Sequence, residues 1–295
     1  MQNLRTIRRR IRSVQSTQKI TKAMQMVAGA KLRRLQGEFL NFRPYAAQLR
    51  GMVEKFLICQ PALEHPLLGG INLETPAGLV LISSDTGLCG TYNEKVLSHA
   101  KIFLRENPSA VVVTIGKKGT RLLSRQGIPR LREVTDWGGR YDPVSVAALT
   151  NWLKDLYVQG RVSSWWVAAT QFISALRWKP IVEQLLPIER PVPQFATYKG
   201  GLAKYSGEEY PEKLILEPDP DVLADELLTK FLETHVKRIF LEAFTAEHSA
   251  RMIAMKNATE NATDMVEHLT LVRNKVRQAA ITKELIEVVS GAQAL

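Results

Sequence analysis

From Asp221 to Ser290 the chain holds no proline or glycine, and Gly291 is the first residue to break that run. Within it, Leu241, Phe244, His248, Arg251, Met255, Ala258, Ala262, Met265, Leu269, Val272, Val276, Ala279, Lys283, Ile286 and Ser290 follow in steps of three and four. Eleven of these fifteen are apolar, which is the a/d pattern of a left-handed coiled coil. Pro218-Asp219-Pro220 closes whatever precedes, and Asp219 or Asp221 supplies an N-cap. A helix from there to Gly291 would be roughly 100 Å long, more than a domain of this size can enclose. An ordinary core helix does not hold a 3.5-residue period for so long. The helix therefore needs a partner of its own kind.

The partner is at the other end. Read in sevens, Leu4, Ile11, Gln18, Gln25, Leu32, Phe39, Ala46 and Val53 make one register. Ile7, Val14, Thr21, Ala28, Leu35, Phe42, Leu49 and Phe56 make the other, and thirteen of the sixteen are apolar. Pro44 predicts a kink, and Gly29, Gly37 and Gly51 are weak points. The two terminal helices can pair antiparallel, with both chain ends projecting from one middle domain. Their predicted seam runs through Ile7, Ile11, Val14, Gln18, Thr21 and Gln25 on one side, and Leu269, Val272, Val276 and Ile286 on the other. Gln18, Thr21 and Gln25 form a polar band, which lowers stability and can fix register.

Between the helices strands and helices alternate. After a Pro/Gly-rich connector over 60–75, strands are predicted at Gly78–Ile82, Ala110–Ile115 and Ser164–Phe172. Helices are predicted at Asn93–Arg105, Lys118–Arg125 and Pro143–Val158. This βαβ order implies a mostly parallel sheet with helices on its faces. Residues 187–212 read as a long loop, and Lys213–Glu217 as a possible last strand. The fold class is thus α/β: a long antiparallel coiled coil (1–59 and 218–295) on a central Rossmann-like α/β domain (60–217).

Charge sharpens the picture. The net charge is +11, and residues 1–36 alone hold ten Lys or Arg with no acid. A transit peptide would explain an acid-free start, but the heptads run on past where one would stop. No apolar run is long enough to span a membrane, and two cysteines, Cys59 and Cys89, suit a reducing compartment. Gly116-Lys117-Lys118-Gly119-Thr120 resembles part of a phosphate loop but lacks the Lys after its second glycine, so a strand-to-helix turn is the better reading. Cys89 with His99 lacks an orienting group, and the five histidines lack ligand spacing. The sequence offers no catalytic, cofactor or metal site.

Residues 1–38 and 245–295 contain no Phe, Trp or Tyr, although aromatic anchors are usual in static interfaces. Ile281, Leu285, Val288, Val289, Ala292 and Leu295 add apolar surface outside the seam, as a helix end inside an apolar sleeve would. Four stretches carry a resemblance: Thr17–Ala28 (TQKITKAMQMVA), Ser84–Gly90 (SDTGLCG), Glu247–Thr259 (EHSARMIAMKNAT) and Ile281–Ala294 (ITKELIEVVSGAQA). In content and order they are similar to the gamma subunit of F-type ATP synthases. The resemblance implies a rotor shaft that turns inside three alpha and three beta subunits and binds no nucleotide. It also implies contacts with an epsilon subunit and a membrane c-ring, and a peripheral place on the cytoplasmic face of a bacterial inner membrane. It assigns shaft contacts to Lys22, Met24, Arg33, Arg34, Arg277, Gln278, Thr282 and Glu284, with Met24, Gln278 and Thr282 meeting acidic beta loops. Thr86, Arg273 and Val276 depart from the family pattern, where Arg, Tyr or Phe, and Ala are frequent. Without the resemblance, the alternatives are a nucleic-acid-binding protein with a basic coiled-coil arm and a bare structural tether.

Overall fold

The computed structural model describes residues 4–69, 74–191, 216–217 and 219–293. Two helices dominate it: α1 (Leu4–Cys59) and α5 (Pro220–Gln293), 56 and 74 residues long. Helix α1 runs unbroken through Pro44. Pro220 starts α5 at a position where a missing N–H costs nothing, and Asp219 caps it by accepting from the Asp221 N–H at 3.0 Å.

The middle of the chain forms a five-stranded sheet in the order β3-β2-β1-β4-β5. Strands β1 (Gly78–Ile82), β2 (Val111–Ile115) and β4 (Trp165–Ser174) fall where hydrophobic runs predict them and pair in parallel. Helices α2 (Tyr92–Glu106), α3 (Lys117–Ser124) and α4 (Pro143–Val158) connect them. Two strands escape the sequence reading. Strand β3 (Arg132–Val134) has only three residues, and β5 (Arg177–Leu186) contains Pro180, which argues against a strand except at an edge. Strand β5 is such an edge, antiparallel to β4. The strand expected over 213–217 lies outside the described residues except at Leu216 and Glu217, which are not in a strand, and most of the loop expected over 187–212 lies outside them too.

The coil and the sheet share one core. Leu35, Phe39, Val53 and Phe56 of α1 pack with Val80, Ile82, Val113 and Ile115 of the sheet and with Leu228, Val236, Phe240 and Phe244 of α5. Trp165 lies fully buried across Gly78, where any Cβ would come within 2.3 Å of its ring, and its indole N–H donates to the Leu153 carbonyl at 2.9 Å. Far from this core a second cluster holds the coil: Ile7, Ile11 and Leu269, with Val14, Val266, Val272 and Val276.

Every one of the sixteen heptad positions of α1 is buried or half-buried. The register on α5 differs from the expected one in two places. Val266 enters the seam while Met265 is 47% exposed. The seam also stops short of Ile286, which is 59% exposed. The cause is length. Thr21 faces Thr259 and Gln18 faces Thr263, so Leu4 at the start of the described α1 lies level with roughly residue 277. Beyond it α5 continues without a helical partner among the described residues.

Candidate functional site

Thirteen consecutive residues of α5, Ile239 to Arg251, are buried on every face. In a sheet of this order the crevice at the C-terminal ends of β1 and β4 is where ligands usually bind. Here α5 fills it. Ser249 Oγ donates to the Ala175 carbonyl beyond β4, and Tyr92 Oη donates to Ala243 O at 3.0 Å. Arg251 reaches the loop after β1: Nη2 donates to Thr86 O at 3.1 Å and to Thr86 Oγ1 at 3.0 Å, and Nε donates to Gly87 O at 3.4 Å.

The same guanidinium is tied to its own helix. Nη1 meets Glu247 Oε1 at 2.8 Å and His248 Nδ1 at 3.2 Å. His248 Nε2 lies 3.0 Å from the Gly139 carbonyl, which can only accept, so Nε2 carries the proton and Nδ1 accepts from Arg251. Burial, with Arg251 opposing a second positive charge, pushes the imidazole pKa down to about 4. Burial likewise pushes the Glu247 carboxyl above its usual range, with Arg251 pulling it back, and Glu247 Oε2 has no hydrogen-bond partner among the described residues.

Because His248 titrates lower in the folded chain than when unfolded, its contribution is intact above about pH 6.5 and lost as pH falls toward 4. That loss amounts to about 3 kcal/mol by the usual conversion. His248→Gln is therefore expected to flatten the acid limb of a stability–pH curve between those values. An unchanged slope in denaturant melts would remove His248 as its source.

The loop that receives Arg251 is itself pinned. Asp85 Oδ1 accepts from the N–H of Lys117 at 3.1 Å and of Asp136 at 3.2 Å, and Oδ2 from Gly138 at 2.7 Å. Ser83 Oγ accepts from Gly119 N at 2.8 Å and lies 2.9 Å from Ile115 O. A Ser hydroxyl and an Asp carboxylate thus take the backbone N–H groups that a phosphate loop would offer. Cys89 sits buried against Ser84 and Asn93, and burial raises its pKa, the opposite of nucleophile activation. His99 Nδ1 lies 3.1 Å from the Lys95 carbonyl of its own helix.

A second charged network ties α5 to β5. Glu183 Oε1 accepts from Arg238 Nη2 at 2.5 Å and from His235 Nε2 at 3.2 Å, and Arg238 Nη1 meets Glu242 Oε1 at 3.0 Å. Burial works against the Glu183 carboxylate, but His235 and Arg238 outweigh it and hold its pKa below the usual range. Burial raises that of Glu242. Sequence reading missed this network. The i,i+4 spacing of Arg238 with Glu242 and of Glu247 with Arg251 was a readable signal, whereas Glu183 lies far away in the chain.

In the coil, Gln18 Nε2 donates to Thr263 Oγ1 at 2.7 Å, and the Thr21 and Thr259 hydroxyls meet at 2.8 Å. Gln25 is half-buried. Thus Gln18 and Thr21 of the polar band are matched across the seam. Lys22, Arg33, Arg34, Arg277, Gln278, Thr282 and Glu284 are exposed and Met24 is half-buried. The structure does not bring Met24 together with Gln278 and Thr282. Met24 lies level with roughly residue 257, some 30 Å below Gln278 along the axis. Of the family departures, Thr86 takes Arg251, Arg273 leans on the adjacent Asn274 Oδ1, and Val276 packs into the distal cluster. Among the described residues no acidic or His/Cys group is arranged to hold a metal, and no helix is long and apolar enough to cross a membrane.

Comparison with known proteins places this architecture. The family model for ATP synthase matches residues 3–295. The ATP synthase gamma chain of Moorella thermoacetica is 39% identical over 296 residues, all of both chains. That of Heliobacterium modesticaldum is 39% identical over 298 residues, again all of both. Among solved structures, a chain of the Euglena gracilis mitochondrial ATP synthase (OSCP/F1/c-ring) has a TM-score of 0.65 at 16% identity, covering 99% of this chain and 94% of that one. A chain of the Tetrahymena thermophila mitochondrial ATP synthase central stalk and c-ring has a TM-score of 0.60 at 23% identity, covering 81% and 99%. At those identities the solved structures share the fold, while the full-length sequence matches fix the family: this chain belongs to the ATP synthase gamma chains.

Proposed function

We propose that this chain is the central rotor shaft of a proton-translocating ATP synthase, and a non-catalytic part of that enzyme. Residues 1–59 and 218–295 form the shaft and 60–217 its foot. The observation that carries the reading is the overhang of α5, where Ile281, Leu285, Ile286 and Val289 are 49–60% exposed with no other helix beside them among the described residues. Such a surface suits an enclosing apolar collar of alpha and beta subunits. The contact residues proposed for the shaft fall at two heights, a lower zone at Lys22, Met24, Arg33 and Arg34, and an upper one at Arg277, Gln278, Thr282 and Glu284. The foot engages the c-ring, which the names of the related complexes include, and an epsilon subunit, at the cytoplasmic face of a bacterial inner membrane. Nucleotides are bound and hydrolysed elsewhere in the complex.

The basic segment supplies the test. Arg8, Arg9, Arg33 and Arg34 are exposed and outside the seam. Changing all four to Glu is expected to lower turnover of the reassembled ATPase severalfold and to leave the melting of the isolated chain nearly unchanged. Tight nucleic-acid binding by the unaltered chain, falling linearly in log salt and lost on reversal, with no effect on ATPase turnover, would overturn the rotor reading.

A further inference from the structure

A shaft that carries torque must be keyed to its foot, and directional bonds add to the interdigitated packing that seats the helix. Among the described residues, Arg238 and Arg251 are the two places where α5 grips the sheet domain with a charged fork. Arg238 holds Glu183 on the edge strand β5. Arg251 holds the Thr86 and Gly87 carbonyls after the central strand β1. They are thirteen residues apart, which on a helix of 3.6 residues per turn puts them roughly 20 Å apart along the axis and about 140° apart around it. The strands they reach flank β4, over which α5 packs. The two grips therefore pull from nearly opposite sides of one helix. A helix held at two points off its axis cannot turn without straining both, so an applied torque is answered by a couple between them.

We propose that Arg238 and Arg251 are positioning residues that form this couple and transmit torque between the foot and the shaft. Each fork is held by a carboxylate of its own helix, Glu242 or Glu247, one turn away. That second bond fixes the direction of each guanidinium, so a load on the foot reaches the helix backbone rather than a free rotamer. The proposal rests on the rotor reading and specifies where in the chain the load passes.

Lysine keeps the charge opposite each carboxylate but loses the fork, so Arg238→Lys, Arg251→Lys and the double variant test the couple with little threat to folding. Each is assembled into the complete proton-pumping complex in vesicles, and pumping per ATP hydrolysed is measured as the proton gradient builds. Each single variant is expected to lower that ratio under load, and the double variant by about twofold or more, beyond the sum of the singles. ATP hydrolysis by the complex without its c-ring, where the foot carries no load, is expected to stay at its normal rate. Should a lysine variant fold poorly, Glu183→Gln weakens the β5 grip alone and is expected to reproduce the Arg238→Lys effect. A double variant that assembles normally and pumps at the normal ratio under load overturns the couple but leaves the rotor reading standing. Failure of the unaltered chain to support any ATP-driven pumping would instead count against the rotor reading itself.

Discussion

Alanine at Gly116 is expected to lower the melting temperature of the isolated chain by about 10 °C. Gly116 has a φ of 92°, where an L side chain is strained by about 1–2 kcal/mol. Its added Cβ would also fall 2.2 Å from the Ser83 carbonyl oxygen, a backbone atom that cannot swing aside. Moving Ser83 would disturb its bonds to Gly119 and Ile115, and with them the turn that carries Asp85. The crowding adds about 1–3 kcal/mol. Gly127 separates the two costs, because its φ is 70° and nothing lies within 4 Å of its would-be Cβ. Gly127→Ala is thus expected to lose only the backbone part. Equal losses in the two variants would show that the packing of Ser83 against this turn has no energetic weight.

Arg251→Met is expected to cost about 3–5 kcal/mol near neutral pH, because it leaves Glu247 buried without its counterion. The cost should depend on pH in a particular direction. Glu247 already titrates above its usual range because of burial, and removing Arg251 takes away the charge that pulls it back. A carboxyl with a raised folded-state pKa binds its proton more tightly folded than unfolded. Its effect on stability is least harmful below the unfolded pKa and worsens as pH rises through the folded one. The variant should therefore recover part of its loss between pH 7.5 and pH 5, as urea unfolding at the two values would measure. Adding Glu247→Gln should restore part of the loss at neutral pH and remove the trend. A loss independent of pH would mean that the bonds to Thr86 and Gly87, not the ion pair, account for it.

The periodic parts of the chain were legible and the non-periodic parts were not. Heptads locate both long helices because each buries one stripe along its length. Gly78–Ile82 and Pro143–Val158 are readable for similar reasons, one a wholly apolar run and the other a capped helix opening with proline. The alternation of strands and helices gives the α/β class, but three-residue β3 and Pro180-bearing β5 send no pattern strong enough to register. His248 and Arg251 fall in the heptad frame and read as polar interruptions of a seam. In the fold they face the Thr86–Gly87 loop and Gly139, brought there by a connection through most of the chain. The mismatch at Met265 and Val266 has a comparable origin: steps of three and four leave a choice at each turn, and only the packing of Ile7, Ile11 and Leu269 decides it. The end of the seam depends on where α1 stops relative to α5, and heptads on one helix say nothing about the other's length.

The pairing of the first helix with the last has a consequence for how the protein is made. Gln18 and Thr263, which meet in the seam, are separated by 245 positions. At usual synthesis rates of about 5–20 residues per second, α1 waits roughly ten to fifty seconds between leaving the ribosome and the arrival of the residues that cover it. Through that interval it is a basic helix with a bare apolar stripe, and the sheet domain can cover only its lower third, around Leu35 to Phe56. Its distal half, from Ile7 to Ala28, stays uncovered until roughly residues 253–274 of α5, which lie level with it, are made. Newborn chains of this design should depend on a holding chaperone or on dilution, and a ribosome stalled near residue 220 should yield a sheet domain joined to a sticky, unpaired arm.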